Sequence, residues 1–134
     1  MQVQKISGLT NYLSNKEKYQ QRVFLTKTTN PLFIANTILR LSFNENISIT
    51  PMKLQRLLYL IYKDYLIRMN QSLFSERFEA QNYGPSLSVI HSNFGQYYGN
   101  PITHYYKTND AIIYQVRERE SLFFKNIIFY MEHL

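Results

Sequence analysis

The strongest hydrophobic pattern in the chain is "PMKLQRLLYLIYKDYLIRMN" at residues 51–70. Leu54, Leu57, Leu58, Ile61, Tyr62, Tyr65, Leu66 and Met69 recur three and four residues apart, with Lys53, Gln55, Arg56, Lys63, Asp64 and Arg68 between them. That spacing lines one face of a helix. Thr50-Pro51 is a start signal: a hydroxyl that accepts a free N–H, then a ring suited to the first helical position. At roughly 28 Å the helix is long enough to cross a small domain, and it is expected to be the central one. Asn30-Pro31 gives the same signal, and Ile34, Ile38 and Leu41 follow on one face until "NENIS" at 44–48 ends the run.

The remaining elements are less regular. Residues 71–83 hold short apolar runs at Leu73-Phe74 and Phe78–Ala80, and predict a small hairpin or an irregular extended segment. Gly84-Pro85 then reads as the opening of a helix, with Leu87, Ile90, Phe94 and Tyr97 at helical spacing until Gly99-Asn100-Pro101 breaks it. Residues 103–116 turn at Thr108-Asn109-Asp110 and predict a hairpin or an extended loop. "ESLFFKNIIFYMEHL" at 120–134 reads as a last amphipathic helix. Residues 1–28 are polar, with Leu9, Tyr12, Leu13, Tyr19 and Val23 widely spaced, and predict a weak helix or an arm. The expected fold is mainly α: a compact single-domain helical bundle of four to five helices with a small β-hairpin or extended segment. Residues 1–28 form its N-terminal extension and 29–134 the helical domain.

Composition narrows the function. A chain of 134 residues that is 45% hydrophobic can bury a core without staples. With no cysteine, a disulfide framework, a thiol nucleophile and a cysteine zinc site are excluded. The N-terminus lacks the apolar segment of a secretion signal. The longest apolar run, residues 57–62, is far short of the ~20 residues that span a bilayer. A cytoplasmic protein with no membrane association is expected. The charges behind the net +6 are scattered, and the only compact basic groups, Lys16/Lys18/Arg22, Lys53/Arg56 and Arg117/Arg119, each have an acid nearby or between. Without a basic stripe interleaved with aromatics, a nucleic-acid partner is an alternative but not the favoured one.

Catalytic chemistry is hard to find. His91, His104 and His133 have no ligand spacing, and no cofactor or metal is expected. Ser88 and His91 lie one helical turn apart, but no nucleophile elbow surrounds any serine. The four glycines form no phosphate loop. Glu76 and Glu79 are a weak acid–base pair; Glu79 is expected instead to accept from backbone N–H groups at the 78–87 corner and hold it. Lys53 and Arg56 either pair with Glu76 or Glu79 or meet an acidic partner.

Three segments together carry a family resemblance: "ITPMKLQRLLYLIY" at 49–62, "LFSERFEAQNYGP" at 73–85 and "NPI" at 100–102. In order and spacing they resemble the Panacea domain, the SocA-like antitoxin and phage-associated family. Thr50, Lys53, Leu54, Leu57, Leu58, Tyr59, Glu79, Ala80, Tyr83, Gly84, Pro85, Pro101 and Ile102 fall on its pattern. Arg56 replaces a usual Lys, Gln81 a usual aromatic and Ser86 a usual Val. The likeness covers about residues 30–102 and fades after 110. It implies binding rather than catalysis: an antitoxin that neutralises a cognate toxin by stoichiometric occlusion, or an adaptor that delivers a partner to a protease.

On that basis Lys53, Arg56, Glu79, Tyr83, Phe94, Tyr97 and Tyr98 are the candidate partner-binding residues. Leu54, Leu57, Leu58, Tyr59, Ala80, Gly84, Pro85, Pro101 and Ile102 form the structural motif around them. The partner would be a toxin or a host protein. The alternative is a phage or mobile-element inhibitor of a host nucleic-acid-processing complex. The apolar C-terminal segment would also suit a homodimer.

Overall fold

A computed structural model describes residues 2–6, 19–25, 29–116 and 124–129. The order of elements is β1 (Gln2–Ile6), β2 (Tyr19–Leu25), α1 (Pro31–Asn44), α2 (Pro51–Met69), β3 (Glu79–Gln81), β4 (Gly84–Ser86), α3 (Ser88–Phe94), a 3-10 turn (Gly95–Tyr97), β5 (Tyr114–Val116) and α4 over residues 124–129. The fold is broadly helical but mixed α/β rather than a pure helical bundle. One antiparallel sheet runs β2-β1-β5, and β3-β4 is a separate hairpin.

The first two helices start where their Asn-Pro and Thr-Pro pairs place them. Asn30 Oδ1 accepts from Leu32 N at 2.9 Å and Thr50 Oγ1 from Lys53 N at 3.3 Å. Asn70, in the left-handed region at φ 53°, closes α2 by donating its N–H to Leu66 O.

The central helix is α1, not α2. From Leu32 to Ser42 only Phe33 escapes full burial. Its polar residues bond the strand laid against it. Asn36 Nδ2 donates to Tyr106 O (2.9 Å) and Tyr114 O (2.8 Å), and its Oδ1 accepts from Tyr106 N (2.8 Å). Thr37 Oγ1 accepts from Val116 N at 2.8 Å, and Arg40 Nε donates to Gln115 Oε1 at 2.8 Å. In the sequence these polar positions look like a solvent face. Here Asn36 and Thr37 bond the β5 backbone on the edge its neighbour does not cover, while Arg40 holds the Gln115 side chain.

On its other edge β5 pairs with β1, Val3 opposite Val116 and Gln4 opposite Gln115. The described parts of the first 28 residues are therefore strands, where the sequence predicted a weak helix or an arm. Short runs such as "QVQKI" show helical or strand character only once a neighbouring strand is known. The 103–116 segment is the extended alternative: its turn closes through Thr108 N to Ile112 O at 2.9 Å, and its end pairs with β1 rather than with itself.

α2 packs Leu54, Leu57, Leu58 and Ile61 into the core, and the apolar stripe then outruns its cover. Tyr62 is half-buried against Phe74 and Phe78, ring centroids 4.9 and 5.5 Å apart, while Leu66 and Met69 are exposed. Tyr59 meets Phe78 edge-on at 5.2 Å. This aromatic cluster fixes the irregular 71–78 segment on α2. Ile102, buried, donates its N–H to Ile49 O at 2.8 Å and ties the end of the 3-10 region to the start of α2.

The Gly84-Pro85 joint is a hairpin, not a helix start. Glu79, Ala80 and Gln81 pair with Ser86, Pro85 and Gly84 across the two-residue turn Asn82-Tyr83. Gly84 has φ +117°, which a side chain rarely adopts. Pro85 lies in a strand with its ring exposed, as an edge position allows, and α3 begins three residues later. The corner is held by Gln55, not Glu79. Gln55 Nε2 donates to Leu87 O at 3.0 Å and its Oε1 accepts from Leu87 N at 2.8 Å, both buried. Glu79 is exposed, and its carboxylate makes no hydrogen bond among the described residues.

Gln55→Leu should cost about 2–4 kcal/mol, because both backbone groups of Leu87 lose their partner inside the core. Gln55→Glu should be destabilised at neutral pH and partly recover in acid, since only the protonated carboxyl can donate to Leu87 O. Its folded-state pKa is then raised, and the recovered stability is lost again as pH rises through it. Urea denaturation of both variants across pH checks this; equal stability of Gln55→Glu at pH values above and below its titration would refute the clamp.

Candidate functional site

The hairpin, the N-terminal turn of α2 and the α3 region meet around an open cleft of about 190 Å3. Pro51, Met52 and Gln55 come from α2, Tyr83 from the hairpin tip, Ile90 and His91 from α3, and Gly95 and Tyr98 from the turn after it. The Gln55 clamp sets the distance between α2 and α3 and so shapes the floor. His91 lies over Gly95, where an added Cβ would stand 3.3 Å from the ring.

The rim is aromatic and exposed. Tyr98 is 81% exposed, Tyr83 49% and Met52 46%. Tyr98 sits at φ 54°, ψ −118°, and Asn100 N donates to Tyr97 O at 2.9 Å. This is a type II′ turn with Tyr98 in the position that glycine ordinarily fills. A bulky residue there costs on the order of 1–3 kcal/mol. The chain therefore holds an aromatic ring out in solvent at an energetic cost, with Gly99 immediately beside it.

The remaining predicted residues fall as follows. Tyr97 is half-buried, its hydroxyl 3.4 Å from His104 Nδ1, which lies 2.9 Å from Thr103 Oγ1. Phe94 is 1% exposed within the core and offers no surface to a partner, a correction to its place among the contact residues. Its helical spacing with Ile90 was a core signal. Arg56 is exposed one turn beyond Met52 and makes no ion pair among the described residues. Lys53 is half-buried beside it, and desolvation lowers its pKa below the usual lysine value. Glu79 and Ala80 are exposed on the hairpin, and Pro101 beyond the 3-10 turn. Glu76 accepts from Ser75 Oγ at 3.3 Å.

Met52 and His91 are members of the cleft that the sequence pattern did not point to. Met52 follows Pro51 off the apolar stripe, which is the one signal of an outward-facing apolar residue. His91 and Ser88 make no hydrogen bond to one another. Lys16, Lys18, Arg117, Arg119 and His133 lie outside the described residues, as does most of the expected C-terminal helix. No helix among the described residues is long and apolar enough to cross a membrane. Compared with protein-family models, with curated proteins and with solved structures, the chain matches none.

Tyr98→Gly should raise stability by about 1 kcal/mol, strain relief exceeding the added flexibility of the unfolded chain, whereas Tyr98→Ala retains the strain and should not. Thermal unfolding of the two variants beside the parent decides it. A glycine variant no more stable than the alanine one would show that the turn is unstrained.

Proposed function

We propose that this chain is a non-enzymatic protein-binding module of the antitoxin kind, which neutralises a partner protein by stoichiometric occlusion or presents it to a protease. The observation that carries the proposal is Tyr98, exposed and strained at the rim of a cleft it shares with Tyr83 and Met52. Strain is retained in folded proteins mainly where it serves a site. Tyrosine is among the residues most often found as binding hot spots. The cleft's lining has no paired acid and base, which suits contact rather than turnover. The Panacea resemblance of residues 49–62, 73–85 and 100–102 points the same way.

On this proposal residues 29–134 form the Panacea-like helical domain, working in the cytoplasm, and the first 28 residues are its N-terminal extension. Tyr83 and Tyr98 anchor the partner. Lys53 and Arg56, on the first turns of α2, steer its acidic groups, and Glu79 at the hairpin edge limits which charges are accepted.

Affinity capture with the tagged full chain from its native host, washed at moderate salt, tests this. One stoichiometric small protein, toxic when expressed alone, should be recovered, and Tyr98→Ala should weaken its binding by about thirtyfold or more. Recovery of a nuclease, a polymerase or nucleic acid instead would move the function to inhibition of a nucleic-acid machine. Undiminished capture by Tyr98→Ala would remove the cleft from the interface.

A further inference from the structure

The outward side of α2 carries a second pattern beside the one that is buried. Met52, Arg56, Leu60, Lys63 and Ile67 follow at intervals of four, four, three and four, so they form one seam along the helix. The seam runs roughly 22 Å. It starts at the cleft, which Met52 lines, and ends in a larger open groove of about 430 Å3 that Leu60, Lys63, Asp64 and Ile67 share with Asn126 and Ile127 of α4. Ile67 is 72% exposed, and Arg56 and Lys63 face solvent. No described element covers the seam, and α4 walls only its far end.

The charged residues on the seam itself, Arg56 and Lys63, are both basic. Asp64 is the only acid on α2, and Arg68 Nε holds it at 3.1 Å. Lys53 lies on the shoulder of the seam at the cleft end. Apolar residues at helix-packing spacing, alternating with Arg56 and Lys63, which make no ion pair among the described residues, are what a second helix with an apolar stripe and flanking carboxylates complements. A second copy of this chain would bring Arg56 and Lys63 against a face as basic as their own. We infer that the outer seam of α2 docks an acidic amphipathic helix of the partner, continuous with the Tyr83/Tyr98 cleft. This rests on the protein-binding function proposed above and supplies the chemistry of its partner.

Two synthetic helical peptides of the seam's length test it on the full chain. Both carry leucines at helix-packing spacing; one is flanked by glutamates and the other by lysines. Fluorescence anisotropy should show the acidic peptide binding at least about tenfold more tightly than the basic one, and Arg56→Glu/Lys63→Glu should reverse that order. Ile67→Glu should abolish binding of either peptide. Circular dichroism should show all variants folded, since the altered residues are exposed.

Equal binding of the two peptides, no binding of either, or a preference that survives the charge reversal would overturn the inference. So would sedimentation of the free chain as a dimer that Ile67→Glu dissociates, because a second copy would then occupy the seam. A native partner captured normally by Ile67→Glu but lost by Tyr98→Ala would overturn the seam alone. Absence of any captured partner would overturn the function proposed above, with the peptide result still judging the seam.

Discussion

A backbone amide taken out of water must bond something, and in this chain two side-chain amides do so for segments without a regular partner. Asn36 bonds Tyr106 twice and Tyr114 once, so the irregular approach to β5 is fastened to α1. Gln55 bonds both polar groups of Leu87, so the hairpin and α3 are fastened to α2. Each clamp exchanges its bonds to water for bonds in the core, and each is expensive to leave half-made. Without them the backbone polar groups of Tyr106 and Leu87 would lose these bonds. With them, the segments around Tyr106 and Leu87 become walls.

The cleft follows from the second clamp. Gln55 holds the junction of β4 and α3, α3 then delivers Ile90 and His91, and the 3-10 turn ends with Tyr98 projecting beside the hairpin tip. A flexible junction would leave Tyr83 and Tyr98 free to move apart. The strain at Tyr98 persists because Ile90 and Phe94 anchor the helix before it and Ile102 anchors the chain after it. Rigid support on both sides turns an unfavourable backbone conformation into a fixed aromatic rim. On the binding function proposed above, the stability surrendered at this residue would serve as preorganisation for contact.

The seam on α2 shows how one helix serves two surfaces. Leu54, Leu57, Leu58 and Ile61 face the core, whereas Met52, Leu60 and Ile67 interleave with Arg56 and Lys63 on the opposite side. A helix apolar on both sides is ordinarily buried on both. Here Arg56 and Lys63 keep the outer side hydrated, and the partner helix proposed above would meet it with opposite charge.

The sequence by itself determined the helix starts, because Asn30-Pro31 and Thr50-Pro51 satisfy local backbone geometry with no help from distant residues. It determined the buried face of the first half of α2 for the same reason, since Leu54, Leu57, Leu58 and Ile61 are neighbours on one helix whatever surrounds it. A hairpin was legible as one reading of residues 71–83, but not that Gly84-Pro85 forms its returning strand, because Gly84-Pro85 suits a helix start as well. Only tertiary structure decided that α1 is central, since a buried Asn36, Thr37 or Arg40 reads as a surface residue until the strand it bonds is in place. It alone made strands of residues 2–6 and 19–25, put Phe94 in the core, and raised Tyr98 over the cleft. Each of those outcomes depends on a partner far away in the chain, and hydrophobic spacing carries no record of which distant backbone group will need a bond.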